Sequence, residues 1–160
     1  MNMLKISAAA LFFLLAAGCQ KNPQNYISSC ASPYIHEITV GQAKLCVQSV
    51  SSQSDEAKGL GMRDSMGQAQ GMLFDFSGKN SMPAFWMKDM KFDLDLIWIK
   101  DGRVVGITKS VVAPKNAQEN QESKLKDYYP PSAIDEVLEV NSGWSDRNNI
   151  KIGDEINIAK

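Results

Sequence analysis

The segment from Gly71 to Lys100 restricts the possible folds of this chain more than any other part of it. Its clearest element is residues 92–99, which alternate with the two-residue period of a β-strand. One face of that strand carries Phe92, Leu94, Leu96 and Trp98, and the opposite face carries Asp93, Asp95, Ile97 and Ile99. The strand is therefore apolar on both faces in its C-terminal half and acidic on one face at the other end.

Short runs of strand composition recur on either side of this segment. They span residues 35–40, 44–50, 72–76, 83–87, 103–112, 134–140 and 155–159. The pairs Gly41-Gln42 and Asp101-Gly102 separate neighbouring runs and are typical of two-residue hairpin turns. The strands and turns are regularly spaced, and the sequence contains no internal repeat.

Helical features are confined to two short stretches. Residues 54–58 predict a short helix with Ser54 as its N-cap, and residues 141–149 predict a turn or short helix around Trp144. Residues 114–131 have no periodicity and are predicted to form a long polar loop. Eight or so short strands with one or two short helices predict an all-β, mainly antiparallel β-sandwich or barrel.

The first eighteen residues have the features of a secretory signal peptide. Lys5 supplies a positive charge, residues 6–17 are apolar, and small residues precede Cys19. An apolar run of this length is shorter than the roughly 20 residues that a membrane-spanning helix needs. The sequence LLAAGC resembles the lipobox of bacterial lipoproteins, which implies cleavage before Cys19 and acylation of that residue. Gln20 after the cysteine favours attachment at the periplasmic face of the outer membrane. The alternative to a lipoprotein is an ordinary secretory signal that happens to be followed by a cysteine.

The remaining cysteines, Cys30 and Cys46, form an even pair in a protein expected to reach an oxidising compartment. We predict a disulfide between them, which would close a loop of about 17 residues, and two free thiols are the alternative. Residues 19–33 are polar and predict a lipidated tether, whereas residues 34–160 predict a single domain. The chain has 17 basic and 18 acidic side chains, and this balance provides no basic face for nucleic acid.

Four sequence motifs resemble a known protein family. They are GLGMR at residues 59–63, GMLFDF at 71–76, FWMKDMKFDLDLIWI at 85–99 and VLEVNSGWSDRNNIKIGDEI at 137–156. In this order and spacing they resemble domain-of-unknown-function family 192 over nearly the whole domain. The resemblance implies a compact β-sandwich-like fold that is often exported, and it implies no activity. The chain departs from the family pattern by the extra Gly61 and by Asp89 and Met90, where the family has an amide and a hydroxyl.

Asp93 and Asp95 are the first candidates for a functional site. Two residues apart on a strand, their carboxylates would lie on one side roughly 7 Å apart. At a pocket mouth, desolvation would raise the pKa of one of them, so the pair could serve as acid and base or bind Ca²⁺. The alternative is an exposed strand end that pairs with Lys88, Lys91 or Arg63.

Further binding candidates are Arg63, Lys88, Trp86 and Trp144. Arg63 has a guanidinium suited to a carboxylate, and we expect it to pair with Asp93 or Asp95 inside the fold. The two tryptophans could provide an aromatic platform for a sugar, although core packing is their default role. Trp144 lies in a polar turn and is expected to be the more exposed of the two.

Methionines are concentrated between Met62 and Met90, and thioethers bind Cu(I). The four that could converge on one copper ion are Met62, Met66, Met82 and Met90. Met72 and Met87 follow the apolar strand pattern, where methionine commonly fills gaps in a core. No other metal site and no cofactor are predicted.

His36 is the only histidine, which disfavours a His-Asp-Ser triad or a histidine-rich zinc site. The sequence therefore predicts a lipid-anchored, monomeric module that binds an envelope glycan or an envelope protein. The alternatives are an enzyme that acts on an envelope polysaccharide through Asp93 and Asp95, and a methionine-lined copper protein.

Overall fold

The computed structural model describes residues 30–158. The predicted signal peptide, the predicted acylation site Cys19 and residues 20–29 of the predicted tether lie outside these residues. The seven strands are β1 (His36–Val40), β2 (Ala43–Val50), β3 (Gln70–Asp75), β4 (Leu94–Lys100), β5 (Arg103–Val111), β6 (Glu136–Asn141) and β7 (Ile156–Ile158). The helices are α1 (Gln53–Lys58), α2 (Trp144–Arg147) and a 3₁₀ turn at Glu122–Lys124. Among the described residues, no helix is long and apolar enough to cross a membrane.

The strands form one sheet in the order β5-β4-β6-β3-β2-β1-β7. Every neighbouring pair is antiparallel except β2 and β3, which are parallel and are connected through α1. The predicted all-β, mainly antiparallel class with few helices is therefore confirmed. The architecture is a single curled sheet, in which one parallel crossover interrupts the succession of antiparallel pairs.

The two edges of the sheet approach each other and give it the shape of a half-barrel. The amide of Val104 in β5 donates to the carbonyl of Asp154 at 2.9 Å, just before β7. The amide of Ile156 donates to the carbonyl of Gly102 at 2.8 Å. These bonds join the two edge strands at one end of the sheet.

Each face of the sheet packs against its own hydrophobic cluster. Leu94, Leu96 and Trp98 belong to the first cluster, and Ile97 and Ile99 belong to the second. The second cluster contains residues from both edge strands, so the sheet curls around it. The first cluster also takes in residues of the connecting segments, namely Leu60, Phe76, Phe85, Met87, Met90 and Ile134.

The predicted turns and helices are present, with one correction. Gly41 and Gly102 have positive φ angles of 57° and 69° at the two hairpin turns, a conformation that glycine adopts without strain. The N-cap of α1 is Ser52 rather than the predicted Ser54, because the Ser52 hydroxyl accepts a hydrogen bond from the Asp55 amide at 3.2 Å. The N-cap therefore lies two residues earlier than expected.

The strand predicted at residues 83–87 is wrong. Phe85 exchanges two backbone hydrogen bonds with Tyr128, at 2.9 and 2.8 Å, and this contact is an isolated bridge. The Phe85 ring packs edge-on against Phe74, Phe76 and Trp98. Aromatic packing therefore holds this segment on the sheet without a continuous ladder of backbone bonds.

Candidate functional site

Trp86 is the exposed aromatic residue of the predicted binding candidates. Its side chain is 43% exposed, whereas Trp98 is 1% and Trp144 is 3% exposed. Its neighbours Phe85 and Met87 are buried in the first cluster, so the chain directs Trp86 away from the core. The expectation that Trp144 is the more exposed tryptophan is wrong.

Two adjoining cavities meet at Trp86, and we call them together the Trp86 groove. The larger cavity has a volume of about 310 Å³, and the smaller has a volume of about 40 Å³. Residues that line both are Glu56, Ala57, Phe74 and Trp86. The larger cavity is otherwise lined by Gln53, Phe76, Pro83, Ala84 and Phe85, and the smaller by Lys58, Gly59, Leu60, Gly61, Lys88, Met90 and Glu139. The groove thus combines an aromatic floor with a few polar side chains, as ligand sites commonly do.

Glu139 is the buried acid of this groove. It lies on β6 between Met72 of β3 and Leu96 of β4, and it is 6% exposed. Burial raises the pKa of the Glu139 carboxyl to about 8, although the positive charge of Arg63 opposes the rise. The carboxyl is therefore mostly protonated and uncharged at neutral pH.

The Glu139 carboxyl opens onto the smaller cavity. No hydrogen bond joins it to another described residue. Among the described residues, no fully enclosed side-chain oxygen or nitrogen lacks a hydrogen-bond partner. Both carboxyl oxygens must therefore retain some contact with open space, which the smaller cavity provides.

The residues predicted from the sequence do not include Glu139. The signal that indicates it is a single acid within the otherwise apolar run VLEV at residues 137–140. An ionisable side chain in a buried strand is a candidate functional group, since burial shifts its pKa. The rest of the cavity comes from three segments that are distant in sequence, and no local pattern indicates that they meet.

Close backbone packing at Gly61 forms one wall of the smaller cavity. A Cβ atom at Gly61 would lie 3.0 Å from the Lys58 carbonyl and 3.3 Å from the Lys88 carbonyl. The next residue, Met62, donates its amide to the Asp89 carbonyl at 2.8 Å. The extra glycine that departs from the family pattern therefore lies where the end of α1 approaches the segment after Trp86.

Lys88 also lines the smaller cavity, beside the second departure from the family pattern. Its Nζ atom lies 3.7 Å from the Asp89 carboxylate. Asp89 adopts a positive φ of 58°, and the Asn120 side chain binds it twice, at 2.8 Å through the Asp89 amide and at 2.6 Å through the carboxylate. Asn120 thus supports a strained backbone position at the edge of the site.

Asp95 lies outside the Trp86 groove and is completely buried. Its carboxylate accepts hydrogen bonds from the Ser110 amide at 3.0 Å, the Gly143 amide at 3.1 Å, the Ser145 amide at 3.1 Å and the Ser145 hydroxyl at 2.6 Å. Burial raises the pKa of Asp95, but these hydrogen bonds outweigh it and the net pKa lies below its usual value. The predicted upward pKa shift in this acid pair is therefore wrong for Asp95.

Asp93 and Arg63 do not join Asp95 in one cluster. Asp93 is exposed and accepts a hydrogen bond from the Ala113 amide at 2.8 Å. Arg63 donates to the Tyr34 hydroxyl at 2.8 Å and to Gln48 Oε1 at 2.6 Å. The predicted pairing of Arg63 with either aspartate is wrong, since its guanidinium binds neutral partners near Glu139.

A third cavity of about 550 Å³ lies against residues 112–128, most of which belong to the long loop. It is lined by Met87, Val112, Tyr128 and neighbouring polar residues, and it contains no predicted site residue and no buried acid. The Trp86 groove is smaller, but it contains both an exposed aromatic face and an ionisable group with a perturbed pKa. We therefore treat the Trp86 groove as the candidate site.

The four methionines considered for copper have different environments. Met66 and Met90 are buried in the first cluster, whereas Met62 and Met82 are 66% and 54% exposed. Met62 and Met90 line a common cavity of about 200 Å³ that neither Met66 nor Met82 lines. Within residues 30–158, no group of three or more His, Cys, Asp or Glu side chains is placed to hold a metal ion.

Comparison with known proteins identifies the family. The model of family DUF192, described as Uncharacterized ACR, matches residues 36–158. A protein of unknown function from Novosphingobium aromaticivorans has a similar structure, with a TM-score of 0.66 and 26% identity over 76% of this chain and 83% of that one. A protein from Sinorhizobium meliloti, described provisionally as a transcription regulator, has a TM-score of 0.65 and 25% identity over 77% of this chain and 92% of that one. No curated protein matches. The match over residues 36–158 shows that this chain belongs to domain-of-unknown-function family 192.

Proposed function

We propose that the domain is a binding module that holds an uncharged sugar ring of an envelope glycan against Trp86. The observation that carries this proposal is the exposed Trp86 side chain above a groove whose floor is formed by Phe74, Phe76 and Phe85. An indole face buries the apolar side of a ligand ring at little conformational cost, and polar groups at its edge remain available.

The polar side chains of the groove are suited to sugar hydroxyls. Gln53 and Glu56 line the larger cavity, and Glu56 lies 3.4 Å from Lys79 Nζ. Lys88 and Glu139 line the smaller cavity. Amides, carboxyls and ammonium groups together provide donors and acceptors around an aromatic platform.

The envelope location is part of the proposal and rests on the sequence. The predicted signal peptide and the lipobox-like sequence before Cys19 favour export and acylation. The Cys30–Cys46 disulfide, whose Cα atoms are 5.6 Å apart, is compatible with an oxidising compartment. We propose that acyl chains on Cys19 hold the module at the membrane through residues 20–29.

An enzyme that acts through Asp93 and Asp95 has less support than a binding module. Four hydrogen bonds occupy the Asp95 carboxylate, and the side chain has no exposed surface. A general acid or base must reach the proton that it transfers. Asp95 has no such access, so we assign the pair no catalytic role in the proposed function.

Isothermal titration calorimetry with chitotetraose and cellotetraose tests the proposal. We expect saturable binding of at least one of these uncharged oligosaccharides, and we expect Trp86→Ala to weaken it at least about tenfold, because truncation of a tryptophan that anchors a ligand typically costs about 2 kcal/mol or more. Tyr129→Ala is the matched control, since Tyr129 is 56% exposed and lies outside the groove. Absence of binding, or equal losses in the two variants, would refute the proposal.

A further inference from the structure

We propose that the smaller cavity of the Trp86 groove binds a single sugar hydroxyl or hydroxymethyl group, and that Glu139 is its hydrogen-bond partner. This inference rests on the proposed function and specifies the part of the ligand that enters the fold. It makes Glu139 a specificity-determining residue, whereas Trp86 provides affinity for the ring.

The size of the cavity restricts what can enter it. Its volume of about 40 Å³ exceeds the roughly 10–15 Å³ that one water needs and is too small for a whole ring. Trp86 lines both this cavity and the larger one. A ring stacked on Trp86 in the larger cavity can therefore place one substituent in the smaller cavity.

A substituent that enters the smaller cavity meets the Glu139 carboxyl, which has hydrogen-bonding capacity that no described residue uses. It is buried on a central strand, has no partner among the described residues, and contacts the cavity. Its carboxyl oxygens retain contact with the cavity, so a ligand hydroxyl can bind them there in place of water, and removing one partner of such a buried hydrogen bond costs about 1–3 kcal/mol. A protonated carboxyl both donates and accepts, as a hydroxyl does, so the two groups can form reciprocal hydrogen bonds.

The charged groups around Glu139 disfavour a cationic ligand group. Lys58 comes from the end of α1 and Lys88 from the segment after Trp86. Arg63 acts on Glu139 through its charge. The single acid among these neighbours is Glu56, whose carboxylate lies 3.4 Å from Lys79 Nζ. The facing residues on β3 and β4, which include Met72 and Leu96, are uncharged.

The protonation state of Glu139 gives the inference a distinct signature. Burial holds the pKa of this carboxyl near 8, and a ligand that closes the cavity removes water and further favours the neutral form. Ligand affinity should therefore be constant at neutral pH and should fall as the pH rises above about 8.

Calorimetric titration between pH 6 and 9.5, with whichever of chitotetraose and cellotetraose binds wild type, tests this inference on three variants. Glu139→Gln retains an uncharged donor and acceptor, so we expect affinity within about threefold of wild type at pH 7 and no decline at high pH. Glu139→Leu should lose about tenfold in affinity at pH 7. Glu136→Gln is the matched control, because Glu136 lies on the same strand, has a pKa raised by burial, and is outside the groove.

Three results would overturn the inference. Both Glu139 variants could bind with the affinity and pH profile of the wild type, which would exclude Glu139 as the partner. Wild-type affinity could rise above pH 8, which would mean that the carboxylate is the binding form. In both cases the loss caused by Trp86→Ala would leave the proposed glycan module intact. Failure of wild type to bind either oligosaccharide would refute the glycan module and this inference together.

Discussion

Asp95 and Ser145 are joined twice, by hydrogen bonds from the Ser145 amide at 3.1 Å and from the Ser145 hydroxyl at 2.6 Å. Both residues have no exposed surface. Because Ser145 belongs to α2, these bonds fix the helix on the end of β4 and bring Trp144 into the second hydrophobic cluster. A buried carboxylate thus orients the turn that precedes the last strand.

Asp95→Asn should destabilise the domain by about 2–4 kcal/mol at pH 7, because an amide NH₂ group would face backbone donors in a buried site. Ser145→Ala should cost about 1–2 kcal/mol. Urea denaturation measures both changes. Asp93→Asn is the control and should have little effect, since Asp93 is exposed. Equal losses for Asp93→Asn and Asp95→Asn would contradict the structural role of Asp95.

The contribution of Asp95 should also depend on pH. Its pKa is lowered in the folded protein, so the stabilisation is present above the unfolded value near 3.9 and disappears as the pH falls through the folded value. The stability difference between wild type and Asp95→Asn should therefore shrink below about pH 4. A difference that is constant from pH 7 to acid unfolding would argue against this pKa shift.

Glu139→Gln should change stability with the opposite dependence on pH. The Glu139 pKa is raised from 4.5 to about 8, so the folded state of wild type loses relative stability as the pH rises through this interval. The variant lacks this penalty, so its free energy of unfolding relative to that of wild type should increase by up to about 5 kcal/mol between pH 4 and 9. Urea denaturation at these two pH values measures the gain. An unchanged difference would show that Glu139 ionises normally in the fold.

Removal of the disulfide should destabilise the domain without changing its fold. The bridge joins Cys30 to Cys46, which is buried on β2, across a sequence separation of 16. In the chain-entropy model a loop of this size contributes roughly 3 kcal/mol. Cys30→Ser combined with Cys46→Ala should lower the free energy of unfolding by about this amount. The same loss should follow reduction of wild type with dithiothreitol, and no change on reduction would contradict it.

Gly61→Ala should both destabilise the domain and weaken ligand binding. Its Cβ would lie 3.0 Å from the backbone carbonyl of Lys58 and 3.3 Å from that of Lys88, closer than ordinary van der Waals contact. We expect a cost of about 1–3 kcal/mol and a distorted wall in the smaller cavity. Gly67→Ala is the control, because its Cβ would meet the flexible Gln70 side chain. Thermal unfolding and chitotetraose titration of both variants check the prediction.

Sequence pattern predicts the local elements well and the contacts between distant ones poorly. The faces of β4 and the hairpin turns follow from the two-residue period and from turn residues. The burial of Trp144 does not follow, because it depends on Asp95, which is 49 positions away in sequence. The parallel pairing of β2 with β3 is also non-local, since α1 separates the two strands.

The candidate site shows the same division. The sequence indicates Trp86 and Lys88 as binding candidates, and both line the groove. The sequence does not indicate that Glu139 lines the same cavity, because this cavity forms only where β6, the end of α1 and residues 86–90 meet. Ring packing of Phe85 with Phe74 and Trp98 positions this segment, and no strand pattern predicts that packing.

Indole N–H resonances in a ¹⁵N-labelled sample provide the most direct test of the glycan module. The chain has three tryptophans, and Trp86→Phe identifies the Trp86 signal by its loss. The account predicts that saturation with chitotetraose or cellotetraose shifts the Trp86 signal, while the signals of the buried Trp98 and Trp144 stay in place. A stationary Trp86 signal at saturating concentrations of both oligosaccharides would contradict the account.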